Sequence, residues 1–594
     1  MPDLRSIASR RLTTARTAAH NVPLAASVAV RRLGVDPVET VVRLADRLPA
    51  SWLRRAESRP EARLLLADDD EVAAAVTTDA LGGDAGRALD PGTLRRLVAV
   101  ATSQNRTDLA ADLLCRLPDD DPSRPRLTAR LDWKLGLLTR ARDDLALSPS
   151  TSHRDSRLLA SMADDLAVLQ VPAPPSSVRR TPSFTTVPHR VLHLVTNSLP
   201  YANAGYTTRT HQILRAQSQI GLDPHALTRL GFPVAQGSLT APTLDVVDGI
   251  PYHRSLPVRP LPRRASDRLQ TEIDAASAIV SDLRPGVLHA ASNHWNGRVA
   301  LALRDRHGIP VVYEVRGFLE ESWLSRRDGD ETDGSSTDRY RLERALETWV
   351  MQEADLVTTL GDVMRDEIVS RGVDADRVVV APNAVDERFL TTAPDARDLR
   401  RTLGIADDDV TVGVISTLYR HEGIVTLVDA VARLLPEHPR LRLVVVGDGP
   451  ERDAIRHRVE EAGIAERTVL TGRVPFDRVH DYYAAIDVFC VPRVRARVSD
   501  LVTPLKPVEA MATGRAVIGS DVGGLREVIT DGVTGLLVTP DDAVALADSI
   551  ASLLYDTDLR SRLGDAARDW VAEHRTWTQV ASRYRDAYAR LGAR

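Results

Sequence analysis

From Arg190 onward the sequence alternates short runs of branched apolar residues with segments of helix length. Arg190-Val191-Leu192-His193-Leu194-Val195-Thr196 opens the series, and Val287 to Ala290, Pro310 to Glu314, Leu356 to Thr359 and Val378 to Ala381 continue it. A second series runs through Val412 to Ile415, Leu441 to Gly447, Val469-Leu470, Val488 to Val491 and Ala516 to Gly519. Runs this short and apolar suit parallel strands covered by helices on both faces. The two series predict an α/β chain with two Rossmann-like, doubly wound parallel-sheet domains facing a cleft. Ligands of such sheets sit beyond the carboxyl ends of the strands, here most naturally in the cleft between the domains.

The region before Arg190 is different. Residues 1–170 are rich in Arg, Ala, Leu and Asp, with apolar residues at helical spacing, and predict an all-α domain. Leu97 to Leu117 and Leu127 to Leu147 read as two antiparallel helices joined at Pro118-Asp119-Asp120-Asp121-Pro122. The pattern hints at a tetratricopeptide-like hairpin, but no 34-residue period repeats and a plain bundle is the commoner reading. Residues 171–189 hold Pro172, Pro174, Pro175, Pro182 and Pro188 and read as a linker. The remaining boundaries are an acceptor domain over 190–392, a donor domain over 393–575, and a last helix over 576–594 returning to the acceptor domain.

Composition removes several function classes. A chain of 594 residues with net charge −5 and few aromatics, none interleaved with basic residues, gives no sign of nucleic-acid binding. Cys115 and Cys490 are the only cysteines, too few for a disulfide framework or a thiolate zinc site. Asn21 to Val30 is apolar but shorter than a membrane span, so the expected location is cytoplasmic. The first 60 residues carry eleven Arg against five acids, a face suited to an anionic membrane surface or a protein partner, or simply to solvent.

Only Lys134 and Lys506 are lysines. Lys506 lies in Thr503-Pro504-Leu505-Lys506-Pro507-Val508-Glu509, which reads as a loop-to-helix junction. The helix dipole disfavours a cation there, unless an anion such as a phosphate lies between the ammonium and the helix N–H groups. A surface lysine beside a helix-start proline is the bland alternative. No GxGxxG fingerprint and no Walker loop occurs.

Six short motifs follow one another instead. They are Ala381-Pro382-Asn383-Ala384-Val385-Asp386, Val446-Gly447-Asp448-Gly449-Pro450, Thr471-Gly472-Arg473-Val474-Pro475, the Lys506 segment, Asp521-Val522-Gly523-Gly524-Leu525-Arg526-Glu527, and Asp531-Gly532-Val533-Thr534-Gly535-Leu536. Together they resemble the family 4 retaining glycosyltransferases of the GT-B fold over about residues 190–594. Asn197 to His211, with Gly205, and Tyr313-Glu314-Val315-Arg316-Gly317 are similar to a subgroup of that family.

The resemblance implies transfer of a sugar from a nucleotide-diphosphate sugar to a glycan, lipid-linked or small-molecule acceptor, without cofactor or metal. It implies that Lys506 faces the diphosphate, Glu509 the ribose hydroxyls, Arg473 and Val474 the base, and Gly205 the donor phosphate. Lys506, His289 and Arg316 become catalytic candidates, and Tyr206, Asn293 and Glu314 candidate acceptor or sugar contacts. Three departures stand out. Thr417 and Glu422 replace an Arg and a Lys common in the family, with Arg420 the nearest compensating cation. Leu501 replaces the first member of a Glu-x7-Glu pair, with Asp500 one residue off, and His289-Ala290-Ala291-Ser292-Asn293-His294 replaces a His-x-His. An epimerase of the same shape and a non-catalytic scaffold are the rival readings. Slow hydrolysis of a nucleotide sugar separates them from a transferase.

Overall fold

The computed structural model describes residues 17–29, 90–148, 152–172, 183–327, 334–391, 395–475 and 478–592. Its first sheet contains β1 (Arg190–Val195), β2 (Asp223–Thr228), β3 (Leu244–Val247), β4 (Ile250–Arg254), β5 (Val287–Ala291), β6 (Val311–Val315), β7 (Leu356–Thr359) and β8 (Val378–Val380). The strand order is β3-β4-β2-β1-β5-β6-β7-β8, parallel except for the β3–β4 hairpin. The second sheet contains β9 (Val410–Ile415), β10 (Leu441–Val446), β11 (Thr468–Leu470), β12 (Val488–Val491), β13 (Ala516–Ser520) and β14 (Leu536–Val538). Its order is β11-β10-β9-β12-β13-β14, parallel throughout. Both orders reverse direction beside the first strand of the domain, which opens a crevice at the strand ends.

The apolar runs explain the central strands. All residues of β5, β6, β7, β12 and β13 are buried, because helices cover both faces. Four strands fall outside the expected series: β2, β3, β4 and β14. The β3–β4 pair turns through Asp248 and Gly249, both at positive φ (49° and 81°). That is the backbone a two-residue hairpin requires, and an Asp-Gly pair supplies it.

The helical region differs from its expected form. Each of the two expected helices is itself a pair: Pro91–Ser103 with Thr107–Cys115, and Arg124–Leu135 with Leu138–Leu147. Asn105 at φ 67° and Gly136 at φ 86° break them, since a left-handed residue ends a helix. The helix His153–Leu169 follows. These helices rest on the first sheet domain. Both Asp338 carboxylate oxygens accept bonds from the N–H groups of Leu138 and Thr139, at 2.7 and 2.6 Å. Residues 17–29 also form a helix on that domain, where Leu24 and Val28 pack with Val234, Ala241, Leu256 and Leu261. The Pro-rich stretch 173–182 and most of the basic first 60 residues lie outside the described residues.

The sheet domains are joined at several points. The helix Trp577–Arg590 leaves the second domain and buries Trp577, Val580, Tyr584 and Tyr588 against Val191, Ile213, Val287 and Val312 of the first. Leu501 of the second domain is buried within the first domain's main core cluster. Glu527 accepts the N–H of Val363 at 2.7 Å and so caps a first-domain helix from across the boundary.

Candidate active site

β9 and β12 are neighbours, so the loops that leave their carboxyl ends meet. Gly423, at φ 66°, makes this possible: a Cβ there would lie 1.8 Å from the Pro492 carbonyl oxygen. The N–H of Val494 then bonds to the His421 carbonyl at 3.2 Å. Gly447, at φ 141°, does the same between the β10 and β9 exits, where a Cβ would reach the Ser416 carbonyl oxygen at 1.8 Å. A cavity of about 350 Å³ lies over these strand ends, closed on the other side by the first domain. Ser416, Thr417, Glu422, Val491, Arg493 and Lys506 line it from the second domain, and Gly205, Arg316, Ser322 and Arg326 from the first.

Lys506 begins the helix Lys506–Ala512, and Pro507 fits the first turn because its missing N–H is not needed there. Its Nζ lies 2.8 Å from Glu509 Oε2, one helical turn on. The Tyr483 hydroxyl donates to the same oxygen at 2.7 Å. Burial and the adjacent Glu509 charge push the Tyr483 hydroxyl pKa far up, so it remains a donor. Lys506 keeps partial exposure to the cavity, while Glu509 is buried with Oε1 unbonded among the described residues.

The first-domain wall is organised by one carboxylate. Glu314 is fully buried at the end of β6. Its Oε1 accepts from Arg209 Nε (3.1 Å), Arg209 Nη2 (2.9 Å) and the Tyr584 hydroxyl (2.8 Å). Its Oε2 accepts from Arg316 Nη2 (2.6 Å) and His289 Nε2 (3.2 Å). Burial raises its pKa, but the Arg316 and Arg209 charges outweigh burial and hold it well below the usual carboxylate range. Burial lowers the pKa of His289, which is therefore neutral. The bonds assign one direction to the network: His193 Nε2–H to Gln217, Gln217 to the Tyr588 hydroxyl, Tyr588 to His289 Nδ1, and His289 Nε2–H to Glu314. Arg316 ends the chain at the cavity, also bonding Thr210 Oγ1 at 2.6 Å and the Tyr206 carbonyl at 3.0 Å.

The structure corrects several expected contacts. His289 and Glu314 are entirely buried with their polar atoms engaged, and neither lines the cavity. Asn293 uses Oδ1 to cap the helix His294–His307 and to accept from Arg229, and it does not line the cavity. Arg420 is exposed and does not line the cavity. Asp500 accepts the Gly523 N–H at 3.0 Å and braces a turn instead of replacing the absent glutamate. Tyr206 is 47% exposed and its hydroxyl accepts from Asn197 at 2.8 Å, outside the cavity lining. Arg473 and Val474 lie just past edge strand β11, also outside that lining. Gly205 does line it, and a Cβ there would meet no protein atom within 4 Å, which keeps that space open. The pattern reading passed over Arg493, Arg326 and Tyr419. Arg493 was legible only as a residue just beyond a strand end, where crevices at the carboxyl ends of parallel strands gather ligand-facing groups.

Two parallel-sheet domains with a charged cavity at the second sheet's strand ends define the GT-B architecture of glycosyltransferases. Residues 204–384 match the family "Glycosyl transferase 4-like domain" and residues 395–570 the family "Glycosyl transferases group 1". D-inositol 3-phosphate glycosyltransferase of Corynebacterium glutamicum is 31% identical over 314 residues, 50% of this chain and 72% of the relative. The enzyme of that name from Nocardia farcinica is 27% identical over 425 residues, 68% of this chain and 89% of the relative. Sucrose-phosphate synthase from Thermosynechococcus elongatus has the same fold, with TM-score 0.55 and 23% identity over 68% of this chain and 99% of that one. Anabaena HepE, solved with UDP-glucose, gives TM-score 0.50 at 19% identity over 67% of this chain and 99% of that one. The chain belongs to the glycosyltransferases built from a 4-like and a group 1 domain, and it is a GT-B transferase of sugar groups. No helix among the described residues is long and apolar enough to cross a membrane.

Proposed function

We propose that this glycosyltransferase uses a nucleotide-diphosphate sugar and transfers the sugar with retention of anomeric configuration. The carrying observation is the placement of Lys506: its ammonium borders the interdomain cavity and is tethered to Glu509, whose second oxygen is unbonded among the described residues. In this reading the second domain holds the nucleotide. Glu509 Oε1 accepts from the ribose hydroxyls, Lys506 meets the diphosphate, and the segment at Arg473-Val474 borders the base. As the glycosidic bond breaks, negative charge grows on the leaving diphosphate. A fixed cation in a cavity screened from bulk water stabilises that charge. The acceptor hydroxyl approaches from the first-domain side and attacks on the face the diphosphate leaves, its proton passing to a phosphate oxygen. Arg316, held by Glu314, positions the acceptor or the sugar there.

The acceptor is a hydroxylated glycan, lipid-linked or small molecule in cell-surface polysaccharide or glycoconjugate synthesis. Relatives named for D-inositol 3-phosphate support a small polyol phosphate among the first acceptors to try. The enzyme would work in the cytoplasm or at the inner membrane face. The test is incubation with UDP-, GDP- and ADP-sugars, following release of the nucleoside diphosphate and the product's anomeric proton by NMR. Retained configuration with one donor supports the reading. Inversion, or no hydrolysis and no transfer with any of them, rejects it.

A further inference from the structure

Two cations reach the cavity from the second domain, among the described residues: Lys506 and Arg493. Arg493 lies two residues beyond the end of β12 and its side chain is only 7% exposed. It is held at two points. Nη1 donates to the Val502 carbonyl at 2.9 Å, and Nη2 donates to Glu422 Oε1 at 2.9 Å. A guanidinium has five N–H groups, so three remain unused by these bonds. One of them, Nε, is buried with no hydrogen-bond partner among the described residues. A buried donor left unpaired carries a desolvation penalty unless a ligand satisfies it.

Glu422 reaches the same cavity from the β9 loop, and His421 Nε2 lies 3.4 Å from its Oε1. Burial raises its pKa, but Arg493 and His421 outweigh burial and hold it at about 2, so the carboxylate is charged at any working pH. A lone carboxylate on the wall of a diphosphate site repels its ligand. A carboxylate spent on holding an arginine fork removes part of that repulsion and fixes the fork's direction.

Resting on the nucleotide-diphosphate reading, we propose that Arg493 is a second cation for the donor's diphosphate, opposite Lys506, and that Glu422 is its positioning residue. Arg493 then supplies from the β12 loop the positive charge that Thr417 and Glu422 do not supply from the β9 loop. Glu422 tempers it, so that the leaving diphosphate is held less tightly than two unbalanced cations would hold it.

Calorimetry on the full chain with UDP, GDP and ADP, and with the matching monophosphates, tests this. Arg493→Met is expected to weaken binding of the preferred diphosphate roughly tenfold to a hundredfold and to collapse the preference for diphosphate over monophosphate. Arg493→Lys keeps the charge but not the fork, and should recover part of the loss. Glu422→Gln keeps an acceptor for Nη2 while deleting a negative charge, so diphosphate binding should tighten by about three- to tenfold. A purely structural pair would not give that sign. If Arg493→Met is not folded, Arg493→Lys and Glu422→Gln carry the test. Binding by both arginine variants at wild-type strength, or weakened binding by Glu422→Gln, overturns the proposal while the donor reading stands. Wild type that binds none of the three diphosphates overturns both.

Discussion

Glu314→Gln is nearly isosteric, yet it should be among the most damaging single changes in the first domain. The carboxylate accepts five hydrogen bonds from Arg209, Tyr584, Arg316 and His289. A carboxamide has one oxygen, so its NH2 must face either the Arg209–Tyr584 donors or the Arg316–His289 donors. Donor then meets donor in a site with no water access. Arg209, itself buried, also loses its only carboxylate among the described residues and keeps the carbonyls of Ala381 and Pro382 and Asn383 Oδ1. Removing one partner of a buried ion pair costs about 3–5 kcal/mol, and the retained oxygen places this case near the lower figure. Urea unfolding followed by tryptophan fluorescence measures it. Turnover should fall with stability, because Arg316 loses either the 2.6 Å bond that directs it at the cavity or the charge that strengthens that bond. The acid dependence supplies a second check. Glu314 is depressed in the folded state, so its stabilisation is present above the unfolded value of about 4.3 and is lost as pH falls through the folded pKa. Glu314→Gln should lack that part of the loss on acidification. Stability within about 1 kcal/mol of wild type, with unchanged turnover, would refute the reasoning.

Three further outcomes are expected. Lys506→Ala should lower turnover with the true donor roughly a hundredfold, about 3 kcal/mol of leaving-group stabilisation, and Lys506→Arg should restore only part; steady-state kinetics with folded variants decides. Glu509→Gln should weaken nucleotide binding by about 1–2 kcal/mol, because the ribose loses a charged acceptor and Lys506 loses its tether; calorimetry showing wild-type affinity removes Glu509 from the site. A chain beginning at residue 183 should still bind nucleotide, since the cavity lining is all retained, but it uncovers Val234, Ala241, Leu256 and Leu261; increased binding of a hydrophobic dye relative to the full chain checks this.

The central strands were legible because their burial on both faces leaves continuous apolar runs such as Val311-Val312-Tyr313. β2 was not, since Asp223-Pro224-His225 opens it and its apolar part is only Ala226-Leu227. The β3–β4 hairpin carried a readable Asp-Gly signal between two short runs. Lys506 was conspicuous because it is one of two lysines. Arg493 was not: 77 cations less two lysines leaves 75 arginines, and nothing local separates it from its neighbours. His289 was misplaced for a related reason. In a strand buried on both faces, alternation no longer tells which side chains reach a cavity, so a histidine within the strand looks the same whether it meets ligand or core.

The three departures at Thr417, Glu422 and Leu501 read as one rearrangement once their surroundings are known. Leu501 stands where a cavity-facing glutamate is expected, but its side chain is buried in the first domain's main core cluster, and a carboxylate there would be buried with it. An apolar side chain at that point ties the second domain to the first. Arg497, in the same short helix, adds to the tie through Glu321 at 3.0 Å and Glu367 at 3.3 Å. Tethering the β12 loop in this way fixes the segment that carries Arg493 toward the cavity and, five residues after Leu501, Lys506. The cations of the second domain are thus carried by a loop anchored to both domains, while Glu422 of the β9 loop directs the Arg493 fork. Positive charge set by an interdomain contact depends on the domains being closed. Loss of the Leu501 contact should therefore weaken the site through the geometry of its cations even though no residue touching the cavity has changed.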